Sequence, residues 1–258
     1  MTAELPLCAD SPSPIAAGLS WLLPAPSTFR PLTSTRFRRS GPSLHRMPTR
    51  DYHESLWQEI PEGTRPPYMQ ARLDFLFAHV PPGARVLDVG CGEGWFTAAL
   101  GEANREAVGI DVAEEPLRRA RAREPGLDLR CVPAEGGWPT LQDVSFDAVW
   151  AGEVIEHVFD TAGWLSEVRR VLRSGGALVL STPAHELLTR LALGLWGRAF
   201  AAHFDPRSDH LRFYTRRTLV ALLEDFGFER IETRAVGGSI GPLPPRQVLM
   251  AAARRRRF

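Results

Sequence analysis

The sequence predicts an α/β fold in which helices cover both faces of a seven-stranded, mostly parallel sheet. From residue 68 onward, short apolar runs alternate with segments whose apolar residues recur at helical spacing, as in β-α-β units. The first apolar run also leads directly into a glycine-rich turn, which is typical of a ligand-binding α/β domain. The strand candidates are Arg85–Val89, Ala107–Ile110, Leu127–Val132, Phe146–Ala151, Ala177–Ser181, Ile231–Val236 and Gln247–Ala252. The helix candidates are Tyr68–Val80, Trp95–Gly101, Glu115–Arg123, Thr161–Leu172, Glu186–Ala202 and Thr215–Phe226.

Composition limits the classes of function. The 258 residues suffice for one α/β domain, and the net charge of +1 gives no electrostatic argument for nucleic acid as a partner. All 31 basic residues are arginine, so lysine Schiff-base chemistry is excluded. The three cysteines form no CxxC pair, which favours a reducing cytoplasm. No apolar run approaches the roughly 20 residues that span a bilayer.

The chain divides into three parts by composition. Residues 1–50 are rich in proline, serine and arginine and have no sustained periodicity, which predicts a disordered extension. Translation from Met47, a tail without function and a targeting segment all remain open as explanations. Residues 51–253 form the predicted folded domain, and residues 254–258 a solvated basic tail.

The glycine loop is the most informative stretch. Val86-Leu87-Asp88-Val89 is an apolar strand that runs into Gly90-Cys91-Gly92-Glu93-Gly94. Glycine allows a sharp turn and lets a ligand lie against the main chain. The second predicted strand ends in Asp111, 21 residues after Gly90, where a carboxylate can accept both hydroxyl protons of a ribose.

The competing interpretation of this loop is a nicotinamide or flavin dehydrogenase. Such enzymes need a small residue at the third position of G-x-G-x-x-G/A, and this sequence has Trp95 there. Asp88 and Glu93 would repel a pyrophosphate, whereas carboxylates suit a ligand that carries a sulfonium and an ammonium. The loop therefore favours a cationic ligand over a dinucleotide.

Five motifs in order resemble those of class I S-adenosylmethionine (SAM)-dependent methyltransferases, particularly the group that includes ubiquinone-pathway O-methyltransferases. They are Val86–Gly94, Gly109–Asp111, Phe146–Val149, Glu153–His157 and Leu172–Leu178, and the resemblance covers about residues 68–236. It implies a Rossmann-like fold with an antiparallel last strand, and SAM as the cofactor.

The resemblance also implies a set of cofactor-binding residues. Asp88 and the glycines would line the methionine and ribose part of SAM, Asp111 would hold the ribose hydroxyls, and Val112 would lie beside the adenine. Pro133 occupies the position where family members often carry an adenine-binding Asp, so that role falls to the backbone around Ala134 or to Glu135 here. The full set is Asp88, Gly90, Cys91, Gly92, Gly94, Asp111, Val112, Ala134, Glu135, Ala151 and Glu153. Trp138 would cover the purine or anchor a loop.

Catalytic candidates lie after the fourth strand, because open α/β sheets bind ligands beyond the carboxyl ends of their strands. His157 is predicted as a general base, and His210 as a second residue of the acceptor pocket. Glu153, Glu156, His157 and His210 also resemble the metal site of small-RNA 3′-terminal 2′-O-methyltransferases. We predict no metal, because similar runs occur in related enzymes without one.

Residues 184–214 sit where this fold inserts a lid over the acceptor. Trp196, Phe200 and Phe204 would form an apolar wall for an aromatic or lipid-like acceptor or make peripheral contact with a membrane, and Arg212 and Tyr214 would meet an anionic one. The predicted function is methyl transfer to a small molecule, at oxygen, in the cytoplasm, without nucleic acid as a partner. The alternatives are a metal-assisted RNA 2′-O-methyltransferase and a SAM-binding subunit without activity.

Overall fold

The strand order reverses in the middle of the sheet of this computed structural model, which describes residues 49–133, 137–195, 197–204, 209–237 and 247–257. The helices are α1 (Thr49–Glu59), α2 (Met69–His79), α3 (Trp95–Glu102), α4 (Glu114–Arg123), α5 (Thr161–Val171), α6 (Leu187–Leu195), α7 (Gly197–His203) and α8 (Arg216–Asp225). The strands are β1 (Arg85–Val89), β2 (Glu106–Asp111), β3 (Asp128–Cys131), β4 (Phe146–Gly152), β5 (Leu172–Pro183), β6 (Phe228–Val236) and β7 (Val248–Arg255).

The seven strands form one sheet in the order β3-β2-β1-β4-β5-β7-β6. The pairs from β3 to β5 are parallel, and β7 runs antiparallel to both β5 and β6. This confirms the predicted seven-stranded α/β sheet with an antiparallel last strand. The connection after β1 leads to β2 on one side, and the connection after β4 leads to β5 on the other side. The loops that follow β1 and β4 therefore separate and open a crevice between them.

Each face of the sheet carries its own core, because successive strand residues point to opposite faces. Leu87 and Val89 belong to a cluster with the apolar sides of α5 and α8, whereas Val86 belongs to one with α2 and α3. β4 divides in the same way, with Val149 on the first face and Trp150 on the second. Strands buried on both faces explain why the predicted segments were continuous apolar runs.

The structure corrects several predicted boundaries. β5 begins at Leu172, directly after α5. The helix predicted over Glu186–Ala202 corresponds to α6 and α7, which are described on either side of residue 196. Strand β7 extends through Arg254 and Arg255, so the predicted basic tail starts two residues too early. Those two arginines continue the antiparallel ladder, which depends on backbone groups and not on apolar side chains.

The segment 184–214 is closed at its base. Ala184 and Tyr214 form an isolated bridge, and the His185 N–H donates to the Tyr214 carbonyl at 2.9 Å. The chain therefore leaves β5 and returns to nearly the same point before α8. Among the described residues, no helix is long and apolar enough to cross a membrane.

Helix α1 was not predicted, and polar contacts fasten it to α4. The Glu54 carboxylate accepts hydrogen bonds from the backbone N–H groups of Glu114 (2.8 Å) and Glu115 (3.1 Å), which lie in the first turn of α4. The Arg119 guanidinium donates to the Trp57 carbonyl at 2.8 Å. A carboxylate at a helix N-terminus satisfies free N–H donors and interacts favourably with the helix dipole.

We expect Glu54→Ala to lower the free energy of unfolding by about 1 kcal/mol, the usual cost of losing a helix cap. Urea denaturation followed by circular dichroism measures this. Glu59→Ala is the matched control, because Glu59 is an exposed acidic residue at the end of the same helix. Equal losses in the two variants would contradict a specific role for Glu54.

Candidate cofactor and acceptor site

A cavity opens beyond the carboxyl ends of β1 and β4, at the point where the strand order reverses. Its internal volume is about 200 Å³. The cavity is in the position at which open α/β sheets bind ligands.

The glycine loop forms one wall with a backbone that only glycine tolerates. Gly90 has φ = 66°, and a Cβ there would lie 2.5 Å from the Val154 Cγ2 atom. Gly92 has φ = 52°, and its Cβ would lie 2.8 Å from the Trp57 ring. A side chain at either position would strain the loop and fill the gap between neighbouring walls. Gly90 itself is exposed to the cavity.

Asp111 joins the loops that follow β1 and β2. One carboxylate oxygen accepts from the Gly92 N–H at 2.9 Å, and the other from the Ala113 N–H at 3.0 Å. The residue is 8% exposed and lines the cavity, and burial raises the pKa of its carboxyl group. A carboxylate accepts about four hydrogen bonds, so lone pairs remain for ligand hydroxyls.

The predicted cofactor residues fall into two groups. Gly90, Asp111, Val112 and Glu153 line the cavity. Asp88, Cys91, Gly92, Gly94 and Ala151 are buried behind the lining and support it. Ala134 and Glu135 lie outside the described residues. Trp138, which was considered for the purine, is in the lining and 3% exposed.

Asp88 makes its contacts behind the cavity lining. Its carboxylate accepts a hydrogen bond at 2.6 Å from the hydroxyl of Thr97, which lies in the first turn of α3. Burial raises the pKa of Asp88 to about 7, although the hydrogen bond from Thr97 stabilises the ionised form and acts in the opposite direction. Asp88 therefore ties β1 to α3, and any charge it carries acts on the cavity from beneath the loop.

Glu93 also faces away from the cavity, contrary to the sequence interpretation. Its side chain is buried, accepts from the Gly63 N–H at 2.9 Å and forms ion pairs with Arg119 and Arg123 at 3.3 Å and 3.7 Å. The Arg123 guanidinium also lies 3.8 Å from the centre of the Trp95 ring. Glu93 anchors the loop to α4 and does not contribute charge to the ligand.

Helix α1 and the turn after it supply a wall that sequence reasoning missed. His53, Leu56, Trp57 and Ile60 all line the cavity. They are spaced i, i+3, i+4 and i+7, the pattern of one helical face, so the signal was present in the sequence. Its position beside the irregular first 50 residues concealed it.

His157 and Asp209 stand together on the acceptor side of the cavity. The Nδ1 atom of His157 lies 3.1 Å from the Asp209 carbonyl and 3.3 Å from the nearest Asp209 carboxylate oxygen. Both acceptors favour the tautomer with the proton on Nδ1, which leaves Nε2 as a proton acceptor. Burial lowers the pKa of His157 despite the nearby Asp209, so the ring is neutral at pH 7.

The His210 ring lies 4.8 Å from the His157 ring, and Glu156 completes the group. The Glu156 side chain is 1% exposed, and among the described residues its oxygens make no hydrogen bond of good geometry, the Thr182 hydroxyl offering a weak one. Burial raises the pKa of this carboxyl group well above its usual value. One ligand atom each from Glu156, His157 and His210 lies within 4.8 Å of the others. The three could hold a metal ion or share a proton.

Glu153 does not join this group. Its carboxylate accepts from the Ser181 hydroxyl at 2.8 Å and lies 4.0 Å from the guanidinium of Arg72. Arg72 is 1% exposed and lies against the rings of Phe96 and Trp150, at 4.9 Å and 5.6 Å. The sequence signal for Arg72 was a charged residue on the apolar face of α2.

The family can now be assigned. A model described as a methyltransferase domain matches residues 62–233, about two thirds of the chain. The chain belongs to this methyltransferase family. The family and the fold imply SAM as the cofactor. The family assignment also removes the dehydrogenase alternative.

Similar proteins carry compatible names. A probable SAM-dependent methyltransferase of Mycolicibacterium smegmatis is 35% identical over 167 residues, which are 62% of this chain and 57% of that protein. The ubiquinone biosynthesis O-methyltransferase of Ruegeria is 33% identical over 59% of this chain and 63% of its own. For the human mitochondrial enzyme of that name, the values are 35%, 56% and 41%. The matches thus span about half of the length of these relatives.

Solved structures agree on the fold. A SAM-dependent methyltransferase from Archaeoglobus fulgidus superposes with a TM-score of 0.57 at 20% identity, over 72% of this chain and 92% of that one. A methyltransferase from Bacillus halodurans gives 0.57 at 18% identity, over 74% and 99%. These similarities support the Rossmann-like architecture.

The raised pKa of Asp88 makes stability depend on pH. The pKa of Asp88 is about 7 in the folded protein and near 4 in the unfolded chain. The protonated carboxyl group therefore contributes its full stabilisation below about pH 4, and this stabilisation is lost as the pH rises through 7. Between about pH 6 and pH 8 we expect the wild type to lose about 1.4 kcal/mol of unfolding free energy relative to Asp88→Asn. Urea denaturation at both pH values measures the difference, and parallel pH dependence in the two proteins would contradict it.

Proposed function

We propose that this protein transfers a methyl group from SAM to an oxygen of a small, uncharged acceptor that is aromatic or lipid-like. The observation that carries the proposal is the exposed Gly90 backbone beside Asp111, in a cavity that also contains His157. The relatives named as O-methyltransferases support oxygen as the acceptor atom.

The charges in the cavity suit SAM. Asp111, Glu153 and Asp209 line it, and no arginine is among the described lining residues. SAM supplies a methyl group on a sulfonium and carries a second positive charge on its amino group, so both cations meet an acidic environment. Asp111 would hold the ribose, Val112, Pro133 and Trp138 would surround the base, and the Gly90 backbone would lie along the methionine part.

His157 has the protonation state that a general base requires. Its neutral ring holds its Nδ1 proton against Asp209, and Nε2, which lies 3.9 Å from a Glu156 carboxylate oxygen, would take the proton of an acceptor hydroxyl. The rest of the catalysis is positioning, because methyl transfer requires the oxygen to be in line with the methyl–sulfur bond.

The surroundings of the cavity favour an acceptor without negative charge. Tyr214 is 6% exposed, and its hydroxyl donates to the Ile155 carbonyl at 3.4 Å. Arg212 is exposed and donates to the Phe159 carbonyl at 3.0 Å. Neither residue lines the cavity, so the expectation that they meet an anionic acceptor lacks support. Val154, Val158 and Trp164 give the cavity an apolar wall.

A metal-assisted reaction is the second candidate, and the buried Glu156 carboxylate favours it. Two imidazoles and one carboxylate suit a divalent transition metal such as Zn²⁺ or Mn²⁺, and a cation would satisfy Glu156 oxygens that are only weakly hydrogen-bonded within the described part of the chain. Such a metal would lower the pKa of an acceptor hydroxyl.

The RNA 2′-O-methyltransferase alternative shares this group of residues, but the net charge of +1 offers little attraction for RNA. A cytoplasmic location stays a prediction.

Binding of SAM is the first test. We expect calorimetry to show that Asp111→Ala weakens the SAM affinity roughly 10- to 100-fold, because the change removes hydrogen bonds to a charged group. NAD should not bind. The matched control is Asp128→Ala, which removes an exposed aspartate at the opposite end of the neighbouring strand β3. A folded wild type that does not bind SAM would overturn the proposed function.

Turnover tests the role of His157. We expect His157→Gln to slow formation of S-adenosylhomocysteine by about 10²- to 10⁴-fold, the usual contribution of a general base, with SAM affinity unchanged. The acceptors compared are catechol and 3,4-dihydroxybenzoate, and the neutral catechol should react faster. His79→Gln is the control, because His79 contacts Phe75 and Glu232 away from the cavity.

A chelator separates the two mechanisms. If EDTA leaves wild-type activity intact, the metal-assisted mechanism fails. If EDTA abolishes activity and Zn²⁺ or Mn²⁺ restores it, the metal replaces the general base as the explanation. Unchanged turnover in His157→Gln would contradict both mechanisms.

A further inference from the structure

Two histidines meet at the base of segment 184–214. His185 lies two residues after the end of β5, and His203 is the last residue of α7. Their Nε2 atoms are 2.9 Å apart, although the residues are 18 positions apart in the chain. Imidazole is the commonest side-chain metal ligand, so two converging imidazole nitrogens form a candidate metal site outside the cofactor and acceptor site.

The surroundings of His185 make its Nε2 atom available as a ligand. The residue is 6% exposed, and its backbone N–H donates to the Tyr214 carbonyl at 2.9 Å. Its Nδ1 atom is buried near the carbonyls of Pro183 and Tyr214, and it makes no hydrogen bond of good geometry within the described part of the chain. A proton on Nδ1 interacts favourably with these carbonyls, so the lone pair is on Nε2 and points at His203. Metal-binding histidines usually have their other ring nitrogen beside such an acceptor.

Aromatic rings pack against the pair. The His203 ring centre lies 4.9 Å from that of Phe204 and 5.4 Å from that of Phe213. The Phe213 ring centre also lies 5.1 Å from that of His185. A ligand whose orientation is fixed by packing binds a metal more tightly, because less freedom is lost on binding.

Both rings are neutral at pH 7. Burial lowers the pKa of His185 and lowers that of His203 to about 4, and His210 acts in the same direction on both. Glu186 raises the pKa of His185 but does not outweigh burial. Imidazole binds metal in its neutral form, so no proton has to leave a charged ring.

The distance between the two nitrogens is close to what one metal ion requires. Imidazole binds Zn²⁺ at about 2.0–2.1 Å, so two such ligands of a tetrahedral ion lie about 3.3 Å apart. The rings need to separate by only about 0.4 Å to reach this geometry. Both donors are nitrogen, and imidazole suits Zn²⁺, Cu²⁺ and Ni²⁺, whereas Mg²⁺ and Ca²⁺ need oxygen ligands.

We propose that His185 and His203 bind one divalent transition-metal ion, such as Zn²⁺, and that this ion fastens α7 to the end of β5. Water would complete the coordination. The site shares no residue with the group of Glu156, His157 and His210. It requires neither SAM nor an acceptor, so its presence does not depend on the proposed function.

Calorimetric titration of the full chain with Zn²⁺ tests the proposal. The starting protein is His157→Gln, which removes a ligand from the other candidate metal group. We expect it to bind one Zn²⁺, and the added change His203→Phe to weaken the affinity by at least about 10- to 100-fold, the usual cost of losing a residue that merely supports a ligand. Phenylalanine keeps an aromatic ring against Phe204 and Phe213.

Two controls use the same starting protein. His79→Gln removes a histidine that contacts Phe75 and Glu232, away from segment 184–214. Cys131→Ser removes an exposed thiol, which is itself a Zn²⁺ ligand. Neither change should alter the Zn²⁺ affinity, and circular dichroism shows whether each variant is folded.

Nitrogen-15 NMR of the histidine side chains is a second measurement, which needs no substitution at the pair. In the His157→Gln protein we expect Zn²⁺ to shift the Nε2 resonances of two histidines together. The resonance of His79, assigned from its own variant, should stay unchanged. This measurement decides the question even where His203→Phe does not fold.

Three results would overturn the proposal: no Zn²⁺ binding by folded His157→Gln protein, the same affinity after His203→Phe, or a Zn²⁺-induced shift confined to one histidine. Loss of binding in Cys131→Ser would place the ion at the thiol and would overturn it as well. If the metal site is correct and methyl transfer is not, Zn²⁺ binding persists in a protein that neither binds SAM nor turns over.

Discussion

The carboxylate of Asp111 holds together the two loops on which the rest of the site depends. Its oxygens fix the Gly92 N–H on one side and the Ala113 N–H on the other, so the turn after β1 and the start of α4 share one anchor. Three glycines with positive φ then hold the backbone open, and Val154 and Trp57 occupy the space that side chains would need. These contacts shape the wall of the cavity on the β1 side of the point where the strand order reverses.

Three carboxyl groups are buried near the cavity. Asp88, Asp111 and Glu156 are all nearly inaccessible, and burial raises the pKa of each. The buried Arg72 guanidinium interacts favourably with Asp88, Glu153 and Glu156. Burial lowers the pKa of Arg72, and these carboxylates raise it. Buried carboxylates without full compensation cost stability, so a positively charged ligand that enters the cavity relieves part of that cost. The same buried carboxylates that cost stability therefore favour a sulfonium ligand.

The sequence predicted the sheet well and the walls of the site less well, for a physical reason. Strands buried on both faces are continuous apolar runs, so β1 was located to the residue and β2 and β4 within one or two positions. The glycine loop followed because at Gly90 and Gly92 the backbone has positive φ and a neighbouring side chain leaves no space for a Cβ. By contrast, the direction in which a side chain points is set by tertiary contacts. Asp88 and Glu93 were placed in the cavity by motif position, whereas Thr97, Arg119 and Arg123 hold them elsewhere.

Helices α1 and α6 show the two ways in which helical periodicity can mislead. In α1 the periodic face includes His53 and Trp57 and covers the cavity. This helix was missed because it directly follows the first 50 residues, which have no sustained periodicity. In α6 the periodicity was obvious, yet it could not show whether the stripe of Leu187, Leu191 and Leu195 faces the core or the solvent. Burying one leucine is worth about 1.5–3 kcal/mol, so an exposed stripe forgoes stability that an inward stripe would gain. The bridge between Ala184 and Tyr214 holds this segment at the carboxyl edge of the sheet, beside the cavity.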